Sequence, residues 1–508
     1  MAEPAAGRPA LALAAAVFAI TLGTRLAAGL ASGGLFGIGA SYDEWVHYSA
    51  ADMVLHGAMP YRDFSLLHPP GIAVVLSPFA WIGSLAGDHV GVILARTAAM
   101  SLNAAAAAGL AWTLRRLGRI PALAAGLWWA FRGIEVRIDS QIQLESFYNA
   151  LIVGAVVAGS GLAARRKGVG GAVLALAAGG LLGLACSIKL VAFGPAAVVL
   201  ALIALSAGRA AAAKALAAAA GIWLAVVAPF AAQAPRGAFN QVVRAQIGRA
   251  ANDAAPRNHL GFSSHLPLTP RLALVVAVTL GLVAIVLAVG QRRGELGFAW
   301  WWLAVGTAAL GELLIAPSYF SDYSIILTAP LGAAIAVSAA WLLNDFKRHF
   351  RTMALAGASL GLTTAISGLP LGPVDRGDFM AAEMVGHRDL AEALPAGTCV
   401  WGVRSSYAIM ADALSPGLAR GCPVIVDPTG LNQLAQAGLP FPEGEALGAD
   451  QPWEVIMDRL ARADVAVVDR KRDRRLAKFL AQNGGSKVDA PRLAAKLGRV
   501  QFWQLHRP

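Results

Sequence analysis

Charged residues are scarce in this chain. Only 14% of the 508 residues are Asp, Glu, Lys or Arg, whereas 57% are hydrophobic. Soluble globular proteins carry about 25% charged residues, so this composition excludes an ordinary soluble domain. Apolar blocks of roughly 20 residues, the length of a membrane-spanning helix, fill most of the chain before residue 372. The sequence therefore predicts a polytopic α-helical membrane protein.

Two further absences narrow the class of protein. No glycine-rich phosphate loop follows a predicted strand, so nucleotide binding is not supported. No cleavable signal peptide is evident, because the first apolar segment contains Arg25 and lacks a small-x-small cleavage site. We therefore expect a retained first helix. The net charge of +12 does not indicate nucleic-acid binding, since Lys and Arg lie in short clusters between apolar blocks.

Cysteine is also rare, with three in the chain. Cys186 lies in an apolar block and is interpreted as inert packing. Cys399 and Cys422 lie in the polar C-terminal part, where an extracytoplasmic location would allow a disulfide. We predict that bond, because the flanking segments read as strands that can lie side by side.

We assign topology by placing every basic cluster between apolar segments on the cytoplasmic side of the membrane. This gives about eleven membrane spans. They cover residues 11–32, 90–114, 120–131, 144–163, 171–187, 190–207, 215–234, 272–289, 296–315, 324–343 and 353–371. The apolar piece 72–86 is predicted to lie at the membrane surface, because a crossing there would put Arg115, Arg116 and Arg119 outside. This arrangement places the N-terminus inside and the C-terminus outside, in the plasma (cell inner) membrane.

The composition changes near residue 383. Predicted strands at 398–403, 423–428 and 465–469 alternate with predicted helices at 383–394, 453–463 and 474–482. Strand–helix alternation favours a largely parallel sheet. We therefore expect two domains: a membrane domain over residues 1–382, with a first outer loop at 33–89, and a small extracytoplasmic α/β domain over 383–508.

The first outer loop holds the most distinctive polar pattern. Asp43 and Glu44 follow the first apolar helix almost directly, which places two carboxylates at the membrane surface where a lipid headgroup would lie. Carboxylates are costly at a membrane boundary, so the pair indicates a functional site. Asp43 is also suited to cap the N-terminus of a helix over 44–55, and the two roles are compatible.

This loop resembles the first periplasmic loop of the GT-C superfamily of integral-membrane glycosyltransferases. After the Asp-Glu pair come Gly-x-x-Pro-Tyr-Arg-Asp-Phe at 57–64 and Pro-Pro-Gly at 69–71. The pattern is most similar to the protein mannosyltransferase and lipid A aminoarabinose transferase branch. The Asp of the pair is the proposed catalytic base there, which implies that role for Asp43 with Glu44 beside it. Family members often have Tyr where His47 stands, so its role stays open.

Other segments resemble the family less specifically. Residues 183–189 resemble a glycine-rich helix that ends in a lysine near the lipid phosphate, and 144–145 resemble the acidic outer start of the fourth span. Residues 317–323 resemble a late outer loop, which more often has His at position 322, and 243–249 resemble a basic outer-loop segment. The substrate-binding residues that we expect are Lys189, Glu145, Arg62, His47, Arg244, Arg249, Tyr319 and Tyr323.

The resemblance implies transfer of a hexosyl or pentosyl group from a polyprenyl-phosphate donor to an extracytoplasmic glycan, lipid or protein. Such a transfer needs a base for the acceptor hydroxyl and stabilisation of the leaving phosphate, so one carboxylate suffices. A hydrolase acting on an ordinary glycoside would need two. Basic residues in the outer loop 235–270 break the positive-inside pattern, and an anionic ligand is their expected partner.

Structural alternatives stay open for several of these residues. Lys189 has the reach to snorkel to lipid headgroups, and Arg62 to pair with Asp63 or Asp43. Glu145 fits acceptor binding, metal ligation or a helix cap equally well.

Two arginines in or near helices, Arg25 and Arg96, are candidates either for snorkelling or for lining a cavity. The acids and histidines of the outer loops are compatible with a divalent cation, although no ligand spacing demands one. Alternative functions are a transporter or flippase of a polyprenyl-linked sugar, or a polysaccharide polymerase or ligase. Transport is disfavoured because the charges cluster in outer loops rather than near the middle of helices.

Overall fold

The computed structural model describes residues 8–31, 35–36, 42–164, 169–249, 298–316, 318, 320–345, 394, 397–402, 404–446, 452–469, 474–482, 486–487 and 500–505. Long apolar helices dominate the part before residue 234. They are α1 (Arg8–Ala31), α2 (Tyr42–Leu55), α3 (Gly71–Ala86), α4 (Asp88–Leu114), α5 (Arg119–Phe131), α6 (Gly133–Asp139), α7 (Leu144–Ala164), α8 (Val169–Ile188), α9 (Phe193–Ala207) and α10 (Arg209–Gln233).

Further helical segments complete the membrane part. A short helical stretch runs through Pro235–Ala238, Phe239–Arg244 and Ala245–Ile247, and two longer helices, Ala299–Ile315 and Thr328–Asp345, flank a 3-10 helix over Ser321–Leu327. Seven helices among the described residues are long and apolar enough to cross a membrane. The predicted spans 272–289 and 353–371 lie outside the described residues. The chain is thus a polytopic helical protein, as its composition predicts.

Two predicted spans form helices that are short for a bilayer. The segments at 120–131 and 296–315 fold as helices of 13 and 17 residues, below the roughly 20 residues that a full crossing needs. The apolar piece predicted at 72–86 is α3, a helix of 16 residues that packs between α2 and α4. Its depth in the bilayer stays a prediction.

Glycines set the close packing of α8 on α10. A Cβ atom at Gly179 would lie 2.0 Å from the carbonyl oxygen of Ala215, and one at Gly183 would lie 2.2 Å from that of Ala219. Small residues four positions apart let two helix backbones approach closely, which is the main source of helix association in lipid. The glycine-rich sequence of α8 therefore has a packing reason.

The C-terminal part folds as the predicted small α/β domain, but its sheet differs from the prediction. Strands β1 (Val400–Gly402), β2 (Val465–Asp469), β3 (Ser486–Lys487) and β4 (Val500–Gln504) lie in the order β1-β2-β4-β3. Only β1 and β2 pair in parallel, while β4 is antiparallel to both of its neighbours. The expectation of a largely parallel sheet is wrong, because the last strand returns antiparallel into its middle.

The predicted strand at 423–428 is also wrong. This segment is not part of the sheet, and its buried Val426 packs against the first loop beside Phe64 and Leu66. The predicted helices at 453–463 and 474–482 are present as Pro452–Ala461 and Arg474–Gln482. The predicted helix at 383–394 lies almost entirely outside the described residues.

The two cysteines of the C-terminal part form the predicted disulfide. Cys399 and Cys422 are bonded, with their Cα atoms 5.4 Å apart. Cys186 is free and buried in α8, as expected for packing.

The α8–α10 contact yields a test with a matched control on the same helix. Gly183→Ala places a methyl group against the backbone of α10, whereas Gly180→Ala meets its nearest atom, in Ile222, at 3.9 Å. We expect Gly183→Ala to lower the free energy of unfolding by about 1–3 kcal/mol, as overpacking usually does. Thermal unfolding of the detergent-solubilised protein measures this difference. Equal melting temperatures for the two variants would contradict the packing.

Candidate active site

Helix α2 presents the acidic pair of the first loop. It begins at Tyr42, so Asp43 lies in its first turn and is not the N-cap residue expected from the sequence. A carboxylate in the first turn interacts favourably with the positive end of the helix dipole. Within the described part of the chain, no group hydrogen-bonds the Asp43 carboxylate, and its side chain is accessible to solvent. Asp43 is thus available for chemistry.

Glu44, the neighbour of Asp43, is held in an ion pair. Its carboxylate accepts two hydrogen bonds from Arg96 of α4, at 2.6 Å from Nε and 2.7 Å from Nη2, and both side chains are fully buried. Arg96 Nη1 also donates to the carbonyl oxygens of Leu35 and Phe36. The two acids of the pair therefore differ in role, and the structure does not support Glu44 as a second catalytic group.

The loop between α6 and α7 holds α2 from the opposite side. Ile142 donates its N–H to Glu44 Oε1 at 3.0 Å, and its carbonyl oxygen lies 3.0 Å from His47 Nδ1. Because a carbonyl oxygen only accepts, Nδ1 of His47 carries the proton and Nε2 is the free acceptor. Burial lowers the pKa of His47 against the opposing effect of Asp43, which favours the neutral imidazole.

A glycine brings the end of α8 to the first loop. A Cβ atom on Gly71 would lie 2.4 Å from the carbonyl oxygen of Ser187, so only glycine permits this approach. Ser187 lies two positions before Lys189, which follows the end of α8. The glycine of the Pro-Pro-Gly segment therefore lets the lysine lie beside the first loop.

Lys189 is almost buried and has an acidic partner. Its ammonium group forms an ion pair with Glu145, at the start of α7. It also lies 4.0 Å from the ring centroid of Tyr323 and 5.9 Å from that of Tyr148, at cation–π distance. Two segments far apart in sequence, α7 and the 3-10 helix Ser321–Leu327, thus hold this cation, and it does not snorkel to headgroups.

Lys189 lines a cavity of about 290 Å³. The walls are mostly apolar, with residues such as Leu190, Val191 and Leu313. The polar side chains at the wall are His68, Tyr148, Lys189, Gln246, Arg249, Glu312, Ser318 and Tyr323. An apolar cavity with two cations is suited to a lipid that carries an anionic head.

Electrostatics link Asp43 to this cavity. Solvent reaches the Asp43 side chain, yet the surrounding protein partly desolvates its carboxylate and so raises its pKa; His47, Lys189 and Arg249 lower this pKa and Glu145 raises it. His47, one turn after Asp43 on α2, lies with its ring centroid 6.4 Å from that of His68 at the cavity wall, which brings the start of α2 next to the cavity. Asp43 is not itself part of the cavity wall and lies beside it.

Two of the predicted substrate-binding residues, Arg62 and Arg244, do not join this cluster. Arg62 pairs with Asp63 at 2.7 Å, with both side chains partly exposed, so the structural alternative for this arginine is confirmed. Arg244 is exposed and donates to Asn240 Oδ1 at 3.2 Å, whereas Arg249, five positions later, reaches the cavity and lies over Phe320. Tyr319 lies outside the described residues.

Sequence analysis overlooked some residues of the cavity wall. His68 is not among the substrate-binding residues expected from the sequence, yet it lies at the cavity wall, and its burial, followed by the charge of Lys189, lowers its pKa well below the ordinary value. Glu312 is a lone carboxylate in an apolar helix and accepts a hydrogen bond from the N–H of Gly194 at 3.0 Å. The sequence signal that could have identified Glu312 is a single acid within an apolar span.

Two other points concern charges elsewhere. Arg25 of α1 is fully buried and bonds Asp139 at 2.9 Å, so it neither snorkels nor lines the cavity. Among the described residues, no three His, Cys, Asp or Glu side chains are grouped so as to hold a metal ion.

No family model matches the sequence, and no curated protein matches it significantly. Solved structures of membrane proteins match its fold. ArnT from Cupriavidus metallidurans in the apo state matches at a TM-score of 0.50 and 13% identity, over 98% of this chain and 97% of ArnT. The same enzyme bound to undecaprenyl phosphate matches at a TM-score of 0.48 and 15% identity, over 98% of each chain.

A more distant match is the S. cerevisiae protein O-mannosyltransferase Pmt1-Pmt2 complex bound to the sugar donor. Its TM-score is 0.37 at 20% identity, over 46% of this chain. The matched region is about a third of the yeast chain, 35%. At 13% identity, the match to ArnT in the apo state shows the fold alone.

The Glu44–Arg96 pair can be tested by a double-mutant cycle. Arg96→Met leaves the Glu44 charge buried without its partner, so we expect the free energy of unfolding to fall by about 3–5 kcal/mol. Adding Glu44→Gln removes that charge while keeping an acceptor for the Ile142 N–H, and should recover at least part of the loss. Denaturation by SDS, followed through tryptophan fluorescence, measures both. An Arg96→Met protein as stable as wild type would contradict this account.

Proposed function

We propose that this protein is a glycosyltransferase that transfers a sugar from a polyprenyl-phosphate donor to a hydroxyl acceptor at the outer face of the membrane. The observation that carries the proposal is the convergence of a free carboxylate, Asp43, with the two cations Lys189 and Arg249 beside a largely apolar cavity. The first-loop resemblance supports it, and the GT-C fold agrees with it by analogy.

The cavity is suited to the donor's leaving group. The lipid chain would lie along the apolar wall, with its phosphate against Lys189 and Arg249. Charge-assisted hydrogen bonds from two cations stabilise the negative charge that develops on the phosphate as its bond to the sugar breaks. Glu145 would hold Lys189 in position while that site is empty, and Tyr323 would limit the movement of the ammonium group.

Asp43 would act as the base. The acceptor hydroxyl gives its proton to the Asp43 carboxylate, its oxygen forms the new bond to the anomeric carbon, and the bond from that carbon to the phosphate oxygen breaks. The products are the glycosylated acceptor and polyprenyl phosphate. His47, one turn later on α2, has Nε2 free to share the proton with Asp43.

The proposal also includes the sidedness of the molecule. The positive-inside pattern of the loops supports a location of α2, the cavity and the C-terminal domain outside the cytoplasm. The Cys399–Cys422 disulfide agrees with that location, since such bonds persist in oxidising compartments. The acceptor would then be an extracytoplasmic glycan, lipid or protein.

The base assignment is tested by Asp43→Asn. We expect this variant to fold normally and to lose transfer by about 100-fold or more, because general base catalysis contributes 10²–10⁴-fold. The assay offers radiolabelled undecaprenyl-phosphate sugars one at a time to membranes that contain each protein. An ordinary exposed aspartate titrates at a pH of about 3.9. Because the pKa of Asp43 is raised, the base is protonated, and wild-type activity is lost, at a higher pH than this as the medium is acidified. Normal transfer by Asp43→Asn would contradict the assignment.

The phosphate site has a matched control five residues before Arg249. Arg249→Met and Lys189→Met each remove a cation from the cavity, whereas Arg244→Met removes an exposed one. We expect the first two to weaken binding of undecaprenyl phosphate by about tenfold or more, since a charged hydrogen bond contributes about 1.5–3 kcal/mol. Microscale thermophoresis in nanodiscs measures this binding. Equal affinities for all three variants would place the phosphate elsewhere.

A further inference from the structure

The C-terminal domain contacts the site at the start of α2. The hydroxyl of Tyr42 donates to Asp427 Oδ1 at 2.8 Å and accepts from the N–H of Thr429 at 3.0 Å. Asp427 is the N-cap residue of the helix Pro428–Gln436, where Oδ1 accepts from the N–H of Gly430 at 2.7 Å. The residue directly before Asp43 is therefore tied to the N-terminus of a helix in the other domain.

Asp427 is itself fixed by neighbouring contacts. The backbone N–H of Ser65 donates to Glu445 Oε2 at 2.9 Å, and the Ser65 hydroxyl donates to the carbonyl oxygen of Asp427 at 3.3 Å. The N–H of Gly444 donates to the carbonyl oxygen of Arg62 at 2.8 Å. These bonds hold the C-terminal domain on the first loop in addition to the bond from Tyr42.

Asp427 also contributes a charge near the base. Its side chain is buried, and burial, with Asp43 as a further contribution, raises its pKa to about 6. Repulsion between like charges is mutual, so an ionised Asp427 opposes ionisation of Asp43. The other charged or titratable groups that face Asp43 are His47 on α2, Glu145 on α7, Lys189 after α8 and Arg249 after the helical stretch that ends at Ile247.

We propose that Tyr42 and Asp427 are positioning residues, through which the C-terminal domain orients the carboxylate of Asp43 and sets the pH range in which it takes a proton. This inference rests on the proposed role of Asp43 as base. A shift of Tyr42 moves Asp43 directly, because the two residues are adjacent in the first turn of α2. A displacement of about 1 Å in a reacting group can cost about 100-fold in rate, so a single hydrogen bond at this point has a large effect.

Two variants separate the hydrogen bond from the charge. Tyr42→Phe removes the hydroxyl and keeps the ring, over which the Arg404 guanidinium lies at 5.8 Å. Asp427→Asn keeps an oxygen that caps its helix and accepts from Tyr42, since Asn is as good an N-cap as Asp, and removes only the charge. Neither change leaves a large cavity, so both proteins should fold.

The control variant is Asp412→Asn, at the far end of the same interface. Asp412 accepts from the backbone N–H of His89 at 2.9 Å and lies 2.7 Å from the imidazole of that residue, next to the start of α4. It ties the same two domains together through His89, and among the described residues it makes no hydrogen bond to Tyr42. It therefore reports any general effect of loosening the interface.

The experiment uses the full-length protein in nanodiscs, with the undecaprenyl-phosphate sugar that supports transfer by wild type. Tyr42→Phe should lower kcat by about tenfold or more, with KM for the donor changed less than about twofold, because orientation rather than binding is lost. Asp427→Asn should move the acid limb of the kcat–pH profile to lower pH by about 0.5 unit, because a charge that raises the pKa of Asp43 is gone. Asp412→Asn should do neither.

A second readout does not depend on activity. Hydrogen exchange of the backbone amides in the first turns of α2 should be about tenfold faster in Tyr42→Phe than in wild type or Asp412→Asn. The inference is overturned if Tyr42→Phe and Asp427→Asn keep the wild-type kcat and acid limb, or if Asp412→Asn lowers kcat as much as Tyr42→Phe. If either result is found while Asp43→Asn is inactive, only the positioning role is wrong and Asp43 remains the proposed base. If Asp43→Asn is active, both the proposed base and the positioning role are wrong.

Discussion

One fully buried ion pair, Glu44 with Arg96, determines how the first loop sits on the membrane helices. Neither charge is tolerated alone in this environment, because an isolated buried charge costs several kcal/mol. The pair therefore fixes one register of α2 relative to α4, with α3 packed between the two helices. That register leaves Asp43, the adjacent residue, accessible to solvent and turns His47 toward the loop at Ile142. Glu44, held in its ion pair, thus positions Asp43, the acid that we propose acts as the base.

Close backbone approaches provide the second constraint. Gly71 lets the first loop touch the end of α8, and Gly179 and Gly183 let α8 lie against α10. Lys189 follows the end of α8, so its position beside Asp43 depends on three glycines that make no contact with a substrate. The lysine is costly to bury and is stabilised by Glu145 and the ring of Tyr323. A bound phosphate would compete with Glu145 for Lys189, so this lysine is suited to exchange its carboxylate partner for the phosphate.

Several of these features follow from the sequence because they depend on local chemistry. The apolar blocks predict helices, the lone lysine after α8 predicts an anionic partner, and the acidic pair predicts a site. The different roles of Asp43 and Glu44 could not be predicted, because they depend on Arg96, 52 positions away from Glu44, facing α2. Periodicity alone does not reveal which helix faces which, so Asp427 was likewise unexpected as a neighbour of Asp43.

The errors in the C-terminal domain have a similar cause. The segment at 423–428 is apolar and extended, as a strand would be, but it packs against Phe64 of the first loop instead of joining the sheet. Strand–helix alternation favours parallel pairing, yet β4 enters between β2 and β3 in the antiparallel direction. Local patterns predict the element type, whereas pairing depends on contacts with distant parts of the chain.

The central claim is that Asp43, Lys189 and Arg249 form one site for a lipid phosphate and an acceptor hydroxyl. A cryo-electron microscopy structure of the protein in nanodiscs with undecaprenyl phosphate tests it most directly. The account predicts the phosphate oxygens within about 2.7–3.2 Å of Lys189 Nζ and the Arg249 guanidinium, the lipid chain along Leu190 and Leu313, and the Asp43 carboxylate open to solvent beside them. A phosphate bound at the exposed Arg244, or on the side of the bundle away from Asp43, would contradict it.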